Sequence, residues 1–313
     1  MKILSLEHEH FSKNAIAELQ KYAEIVPFDP WDGKEELNQW HSRHTFNYYD
    51  QFNGILTKIG FPIGELMIDQ MRYLEWIGTP TTGLTHINLD YCKQRCIRVL
   101  SLKGETGFLK DIWATAEHTL ALIFAITRKI VACQPEGKSR YDFVGTQLRG
   151  KTLGIVGYGR VGKQVESLGR GIGLEIITAD IEDGNYYRNL DTVLYNSDIV
   201  SLHADYRQEN KRMVNREWFK KMRNGAFFIN TSRGEMVNED DLIDALRADK
   251  LAGVALDVVW NEHFGHRNKT LELMAYTYPE KLIITPHVAG CTKESMEITD
   301  MFLAKKIIQE VYR

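Results

Sequence analysis

A chain of 313 residues with 39 Lys and Arg against 42 Asp and Glu carries a net charge of −3, and neither sign is gathered into a block. That balance excludes the basic face of a nucleic-acid binder and a polybasic membrane patch, and no apolar run nears the ~18 residues that a membrane span requires. The four cysteines, Cys92, Cys96, Cys133 and Cys291, form no C-x-x-C pair and no metal spacing, and the first eight residues run into charge without a signal-peptide core, so a reduced, cytoplasmic protein is expected.

The first hundred residues alternate short apolar runs with helical stretches. Strands are predicted at residues 2–6, 24–27, 54–56, 74–77 and 98–100, with helices at 12–22 and 63–71 among them. Such alternation implies a parallel sheet covered on both faces. Cys92 and Cys96 would share one helix face, and Phe46, Tyr48, Tyr49 and Phe52 would cover this lobe. A long helix follows at about 112–130, with Ala116, Leu120, Ile123 and Ala125 on its apolar face, and then a polar stretch, 134–148. The second half repeats the rhythm, with strands at 152–156, 175–178, 199–202, 226–229, 254–258 and 282–284; a last helix at about 294–312 would return to the first lobe. The fold class is therefore α/β, two doubly wound parallel-sheet lobes, with residues 101–287 (helix 112–130 included) inserted into a lobe made from 1–100 and 288–313.

The strongest local signal lies where the second half begins. Gly157, Gly159 and Gly162 have G-x-G-x-x-G spacing between a predicted strand and a predicted helix, and Asp180 follows 18 residues later, after a second apolar run. This is the context of a dinucleotide-binding turn. The first glycine makes the turn, the second admits a pyrophosphate, and the third lets helix and strand pack. The phosphates would rest on N–H groups at the helix start. A carboxylate at Asp180 would bind the adenosine ribose and repel a 2′-phosphate, so NAD is expected over NADP.

Ligands of open α/β sheets bind beyond the carboxyl ends of the strands. In the second half those ends carry Asp180, His203, the run Asn230-Thr231-Ser232-Arg233-Gly234, Asp257 followed by Glu262, and Thr285-Pro286-His287. Reduction of a ketone by NADH needs a proton donor and a partner for the developing negative charge. His287 is the candidate donor, Glu262 the carboxylate that would orient it, and Arg233 the planar fork for a substrate carboxylate. Asp257 would orient the nicotinamide amide or support Arg233. Each residue alone has an ordinary reading: a capping arginine, a solvated acid, a turn histidine. Their shared place at strand ends is what raises the functional one. His8, Glu9 and His10, or Glu262, His263 and His266, lack a metal-binding register, so no metal is expected.

These residues resemble the D-isomer-specific 2-hydroxyacid dehydrogenase family, the phosphoglycerate and glycerate dehydrogenase-like enzymes, from about residue 56 to 309. The most specific segments are 154–162, 230–234, Ala255-Leu256-Asp257-Val258 and Thr285-Pro286-His287-Val288-Ala289-Gly290; Thr115-Ala116-Glu117-His118-Thr119 and 82–89 match more weakly. The resemblance implies a Rossmann NAD-binding domain inserted into a flavodoxin-like substrate domain. It implies a catalytic set of Arg233, Glu262 and His287, and a D-2-hydroxyacid or 2-keto acid substrate. It implies NAD contacts from Gly157, Gly159, Arg160, Val161, Gly162, Asp180, Ala204, Thr231, Ser232, Asp257 and Thr82. Thr82 and Gly83 match a loop that bounds the substrate carboxylate. Lys58 matches the substrate entrance, where it would bind a distal anion or be a surface lysine. A homodimer joined through the NAD-binding domain is implied as well. Residues 101–105 with 115–119 resemble a branch associated with bacterial surface polysaccharides, which implies a sugar-acid or phosphorylated substrate. The chain departs from the family pattern at His263 and at Ala204-Asp205. An NAD(H)-sensing, corepressor-like binding protein and a phosphite-type dehydrogenase are the alternatives.

Overall fold

The computed structural model describes residues 1–28, 48–133, 139–182, 186–262 and 268–312; Phe46, His263 and His266 lie outside them. The chain forms two compact units, Met1–Leu109 with Thr292–Arg313, and Lys110–Cys291.

The first unit is built on β1 (Lys2–Leu6), β2 (Glu24–Phe28), β3 (Gly54–Leu56), β4 (Trp76–Gly78) and β5 (Arg98–Leu100), all parallel, in the order β2-β1-β3-β4-β5. This is the flavodoxin-like order. The central strands β3 and β4 carry no charged residue and are buried along their length because both of their faces are covered. Tyr49, Phe52, Ile55, Ile68 and Ile77 pack on one side. On the other, Ile3, Leu56 and Trp76 meet Leu303, Ala304, Ile307 and Ile308 of the C-terminal helix Lys293–Val311. The helix Lys13–Leu19 starts at Ser12, whose hydroxyl accepts the Ala15 N–H at 3.3 Å.

Three local expectations shift. The helix expected at 63–71 is confined to Glu65–Asp69, because Ile63 instead bridges to Ile87. The strand expected at 74–77 starts at Trp76, since the Leu74 N–H closes a turn onto the Met71 carbonyl. Cys92 and Cys96 do not share a helix face: the helix Leu89–Gln94 ends first, and Cys96 is exposed in a left-handed conformation while Cys92 is buried.

In the second unit β6 (Thr152–Val156), β7 (Glu175–Glu182), β8 (Tyr186–Arg188), β9 (Ile199–Leu202), β10 (Ala226–Asn230), β11 (Leu251–Leu256) and β12 (Leu282–Ile284) lie in the order β12-β11-β10-β9-β6-β7-β8. All pairings are parallel except β7 with β8. Alternate residues separate the two faces. Leu153, Ile155, Phe227 and Ile229 meet Ala116, Leu120, Ile123 and Ile126 of the helix Ala114–Thr127. Val156, Val200, Phe228 and Val254 meet Trp218, Phe219, Leu242 and Leu246. Between β6 and β9 the strand order reverses, which is the switch point where such sheets bind ligands. The antiparallel edge strand β8 was not foreseen, although Asp183-Gly184 is the dipeptide that favours a tight hairpin. Among the described residues no helix is long and apolar enough to cross a membrane.

One ion pair ties the first unit's sheet to its C-terminal helix. Lys58, just past β3, places its ammonium 3.0 Å from both carboxylate oxygens of the buried Asp300. Burial raises the Asp300 pKa, and Lys58 and the Ser12 N–H oppose the rise. Removing one partner of a buried pair leaves an uncompensated charge. Lys58→Met should therefore lower stability in urea unfolding at neutral pH by about 3 kcal/mol, and adding Asp300→Asn should recover much of that loss.

Candidate active site

The turn after β6 shows why its glycines are needed. Gly157 has φ +95°, and a Cβ there would lie 2.4 Å from the Ala204 nitrogen, so a side chain fails on both conformation and space. A Cβ at Gly162 would lie 2.2 Å from the Gly157 carbonyl oxygen. Gly159 is different. It caps the helix Arg160–Gly171, and a Cβ there would meet no atom within 4 Å. The protein's own packing thus makes no demand for glycine at this position. Open space lies there, beside the unpaired N–H groups of a helix start, which suits a pyrophosphate.

The remaining expected cofactor residues fall around the same strand ends. Asp180 is exposed and directly follows Ala179, the last residue of β7 paired with β6; it lies within the strand rather than beyond it, opposite Arg188 of β8. Arg160 is half-buried, and one Nη donates to the Ile112 carbonyl at 3.0 Å. Burial lowers its pKa, with Asp205 opposing. Val161, the next helical residue, is half-buried. Ala204 and Thr231 are buried; the Thr231 hydroxyl is 2.9 Å from that of Thr119, and the Ser232 hydroxyl donates to the Ala204 carbonyl at 2.5 Å. The loops after β9 and β10 are thereby joined.

Three loops then converge. The Gly234 backbone abuts the loop after β11 so closely that a Cβ would lie 2.1 Å from the Val259 carbonyl carbon. In that second loop the Val259 N–H donates to Glu262 Oε2 at 3.1 Å, and the Trp260 N–H to Glu239 Oε1 at 2.7 Å. Glu262 Oε1 is 2.5 Å from Nδ1 of His287, from the loop after β12. Arg233 is half-buried, with one Nη donating to the Ser232 carbonyl at 2.6 Å. Burial lowers its pKa against the pull of the carboxylates of Glu235, Glu262 and Asp205.

Asp257 lies directly beyond β11 and is 1% exposed. Its Oδ1 accepts the Thr285 hydroxyl at 2.6 Å and the Val288 N–H at 2.9 Å, and its Oδ2 the Ala289 N–H at 2.9 Å. His118 Nε2 stands 3.4 Å from Oδ1. Burial pushes the pKa of Asp257 up, but the hydrogen bonds from His118, Thr285 and the two N–H groups outweigh it and hold the pKa below the ordinary value. The backbone of His287 is left-handed (φ 55°), and its N–H donates to the Asp257 and Thr285 carbonyls.

The two histidines brought to this edge differ. His203 Nε2 is 2.8 Å from the Ser201 hydroxyl, while its Nδ1 is shielded from solvent with no hydrogen-bond partner, and burial lowers its pKa to about 3. Such a ring stays neutral. Three participants escaped sequence reasoning: His118, present only within a weakly matching segment; Glu239; and Glu235, whose pKa burial raises. A carboxylate two residues after Arg233 in a strand-end loop was the available signal for Glu235.

In the first unit Thr82 is exposed and Gly83 half-buried in the loop beyond β4. Thr81 closes that loop by donating to the Gly83 carbonyl at 2.8 Å. Lys58 is engaged with Asp300, and its N–H donates to the buried Glu7 carboxylate at 2.9 Å.

Residues 120–289 match the model of the D-isomer specific 2-hydroxyacid dehydrogenase, NAD binding domain. The chain is 30% identical to the glycerate dehydrogenase of Methylorubrum extorquens, over 78% of this chain and 77% of that one. It is 29% identical to the D-3-phosphoglycerate dehydrogenase of Archaeoglobus fulgidus, over 98% of this chain but only 57% of the archaeal enzyme's length. Its fold is similar to the crystal structure of the Aquifex aeolicus D-lactate dehydrogenase complexed with NAD and lactic acid, with a TM-score of 0.78 and 25% identity over 99% and 95% of the two chains. The chain belongs to the D-isomer-specific 2-hydroxyacid dehydrogenase family. Its second unit is the NAD-binding domain of that family, and NAD is the cofactor.

His203 yields a prediction about stability. A folded pKa below the unfolded value of ~6.5 means that its contribution is complete above pH 6.5 and is lost as pH falls toward 3. Between pH 7 and pH 5.5 the protein should lose about 1 kcal/mol more stability in urea unfolding than its His203→Gln variant does.

Proposed function

We propose that this protein interconverts a D-2-hydroxyacid and its 2-keto acid, with NAD as the hydride carrier. The carrying observation is the 2.5 Å pairing of His287 with Glu262, in the unit that also presents Arg233. When bound, NAD accepts or supplies the hydride at the substrate's C2; everything else falls to side chains. Glu262, fixed by the Val259 N–H, holds the proton of His287 on Nδ1, and Nε2 is assigned the exchange of a proton with the substrate oxygen. The same carboxylate balances the imidazolium when that ring carries two protons. Arg233 offers its fork to the substrate carboxylate and to the charge that builds on the carbonyl oxygen during reduction.

Gly157, Gly159, Gly162, Val161, Ala204, Thr231 and Ser232 are assigned to the cofactor's phosphates and ring edges, and Asp180 to its ribose. Arg160 is assigned a backbone contact, since its side chain is already engaged. From the family resemblance, Thr82 and Gly83 are kept as substrate contacts, with Thr82 also near the cofactor. Lys58 is reassigned from anion binding to its pairing with Asp300. A homodimer through the second unit is supported by its exposed Ile130, Val131, Tyr141 and Val144. Cysteines that form no disulfide among the described residues support a cytoplasmic location.

A spectrophotometric panel of 2-keto acids with NADH, phosphorylated and sugar acids included, should reveal turnover of at least one. His287→Ala should reduce that turnover by about 10³-fold while NADH still binds. Normal turnover in this variant, or none by the unaltered protein, would overturn the assignment.

Cofactor choice tests Asp180. NADH should bind more tightly than NADPH, and Asp180→Ala should narrow the preference by about tenfold in fluorescence titrations. Equal binding of both cofactors to the unaltered protein would remove Asp180 from the ribose site.

A further inference from the structure

We infer that His118 is a positioning residue for this reaction: through Thr285 and Asp257 it holds the backbone that carries His287. The inference rests on the dehydrogenase reading above. His118 projects from the helix Ala114–Thr127, with its side chain 22% exposed. Its Nε2 lies 3.2 Å from the Thr285 hydroxyl oxygen and 3.4 Å from Asp257 Oδ1. The Thr285 hydroxyl has a single proton, and it is spent on Asp257 Oδ1 at 2.6 Å. Toward His118 the same oxygen can therefore only accept, so Nε2 of His118 must carry a proton whether the ring is neutral or charged. This settles the tautomer from the hydrogen-bond inventory alone.

The consequence reaches His287 in two steps. The Asp257 carboxylate, oriented by Thr285 and His118, receives the N–H groups of Val288 and Ala289. These are the two residues that directly follow His287. The His287 N–H in turn donates to the main-chain carbonyls of Asp257 and Thr285, at 2.8 and 3.0 Å. Every backbone N–H from 287 to 289 is thus bound within a network that His118 closes. The left-handed backbone at His287 is an uncommon state for a residue with a side chain, and it persists only where surrounding contacts over-determine it. His118 has Thr285 and Asp257 as its partners. It acts on where the His287 ring is presented.

The test compares substitutions that delete the donor or the bridge with ones that keep it. His118→Leu removes the donor and Thr285→Val the bridge, whereas His118→Gln retains an N–H at a similar reach and Thr285→Ser retains the hydroxyl. His118→Leu and Thr285→Val should each lower kcat about tenfold when assayed well below the thermal midpoint, which loss of a donor to Asp257 lowers, with NADH affinity within about twofold of the unaltered protein. The Gln and Ser variants should recover most of that loss. The double variant should fall little further than either single one, as expected for residues of one network. A measurement without turnover accompanies these: 15N spectra of the imidazole rings should show His118 protonated at Nε2, and the His287 ring signals should shift in His118→Leu. Unaltered kcat and unaltered His287 signals in His118→Leu would overturn the inference, as would a loss of kcat that tracks the thermal midpoint and is not recovered by Gln. If the unaltered protein turns over no 2-keto acid, the dehydrogenase reading fails on its own, and the ring spectra still decide the role of His118.

Discussion

The site depends on a carboxylate that has been taken out of water. Asp257 is 1% exposed, and burying an unmatched charge costs several kcal/mol even after relaxation. Hydrogen bonds to an ionised group contribute roughly 1.5–3 kcal/mol each. With a hydroxyl, two N–H groups and His118 around it, the donors win, and the group stays ionised at a lowered pKa. Three of those donors belong to the chain from Thr285 to Ala289, so satisfying the charge and shaping the loop around His287 are one event. A left-handed residue costs about 1–2 kcal/mol, which is small against the cost of leaving this buried carboxylate without its donors.

Other buried carboxylates mark the limit of that argument. Glu7 accepts two N–H groups, Glu239 one with help from Asn268, and Asp300 an N–H and an ammonium, yet in all three burial prevails and the pKa is raised. What sets Asp257 apart is the number of fixed donors closing on it, from a helix, a strand end and a loop at once. A lysine on a flexible stem gives Asp300 charge but less preorganised geometry.

Much of the arrangement was legible in the sequence, because a parallel sheet delivers every strand end to one edge. Periodicity located the strands, and the residues just past them therefore had to meet. Glu262 and His287 could be paired on those grounds, as could the glycine turn with the switch between β6 and β9. What stayed hidden depends on contacts that cross the chain at long range. Lys58 finds Asp300 across 242 positions, and no local pattern marks that pairing. His118 sits on a helix buried along most of its length, where periodicity marks apolar positions and says nothing of a polar residue reaching a strand end. The antiparallel pairing of β7 with β8 also stayed hidden, because the rhythm of parallel strands around it suggests no reversal.

His203 and His287 show how a single residue type is divided between roles by its surroundings. Both follow strands of the same sheet, and unperturbed both would titrate near working pH. His203 received burial and a serine hydroxyl; burial lowers its pKa to about 3, so the ring is held neutral beside the glycine turn. His287 received a carboxylate, Glu262, at its Nδ1. The difference traces to the backbone. β9 runs on into Ala204, whose backbone packs against Gly157, whereas the loop after β11 is drawn against Gly234 and carries Glu262 to the imidazole. The close approach at Gly234 therefore reaches beyond its own turn: it sets which of the two histidines meets a carboxylate.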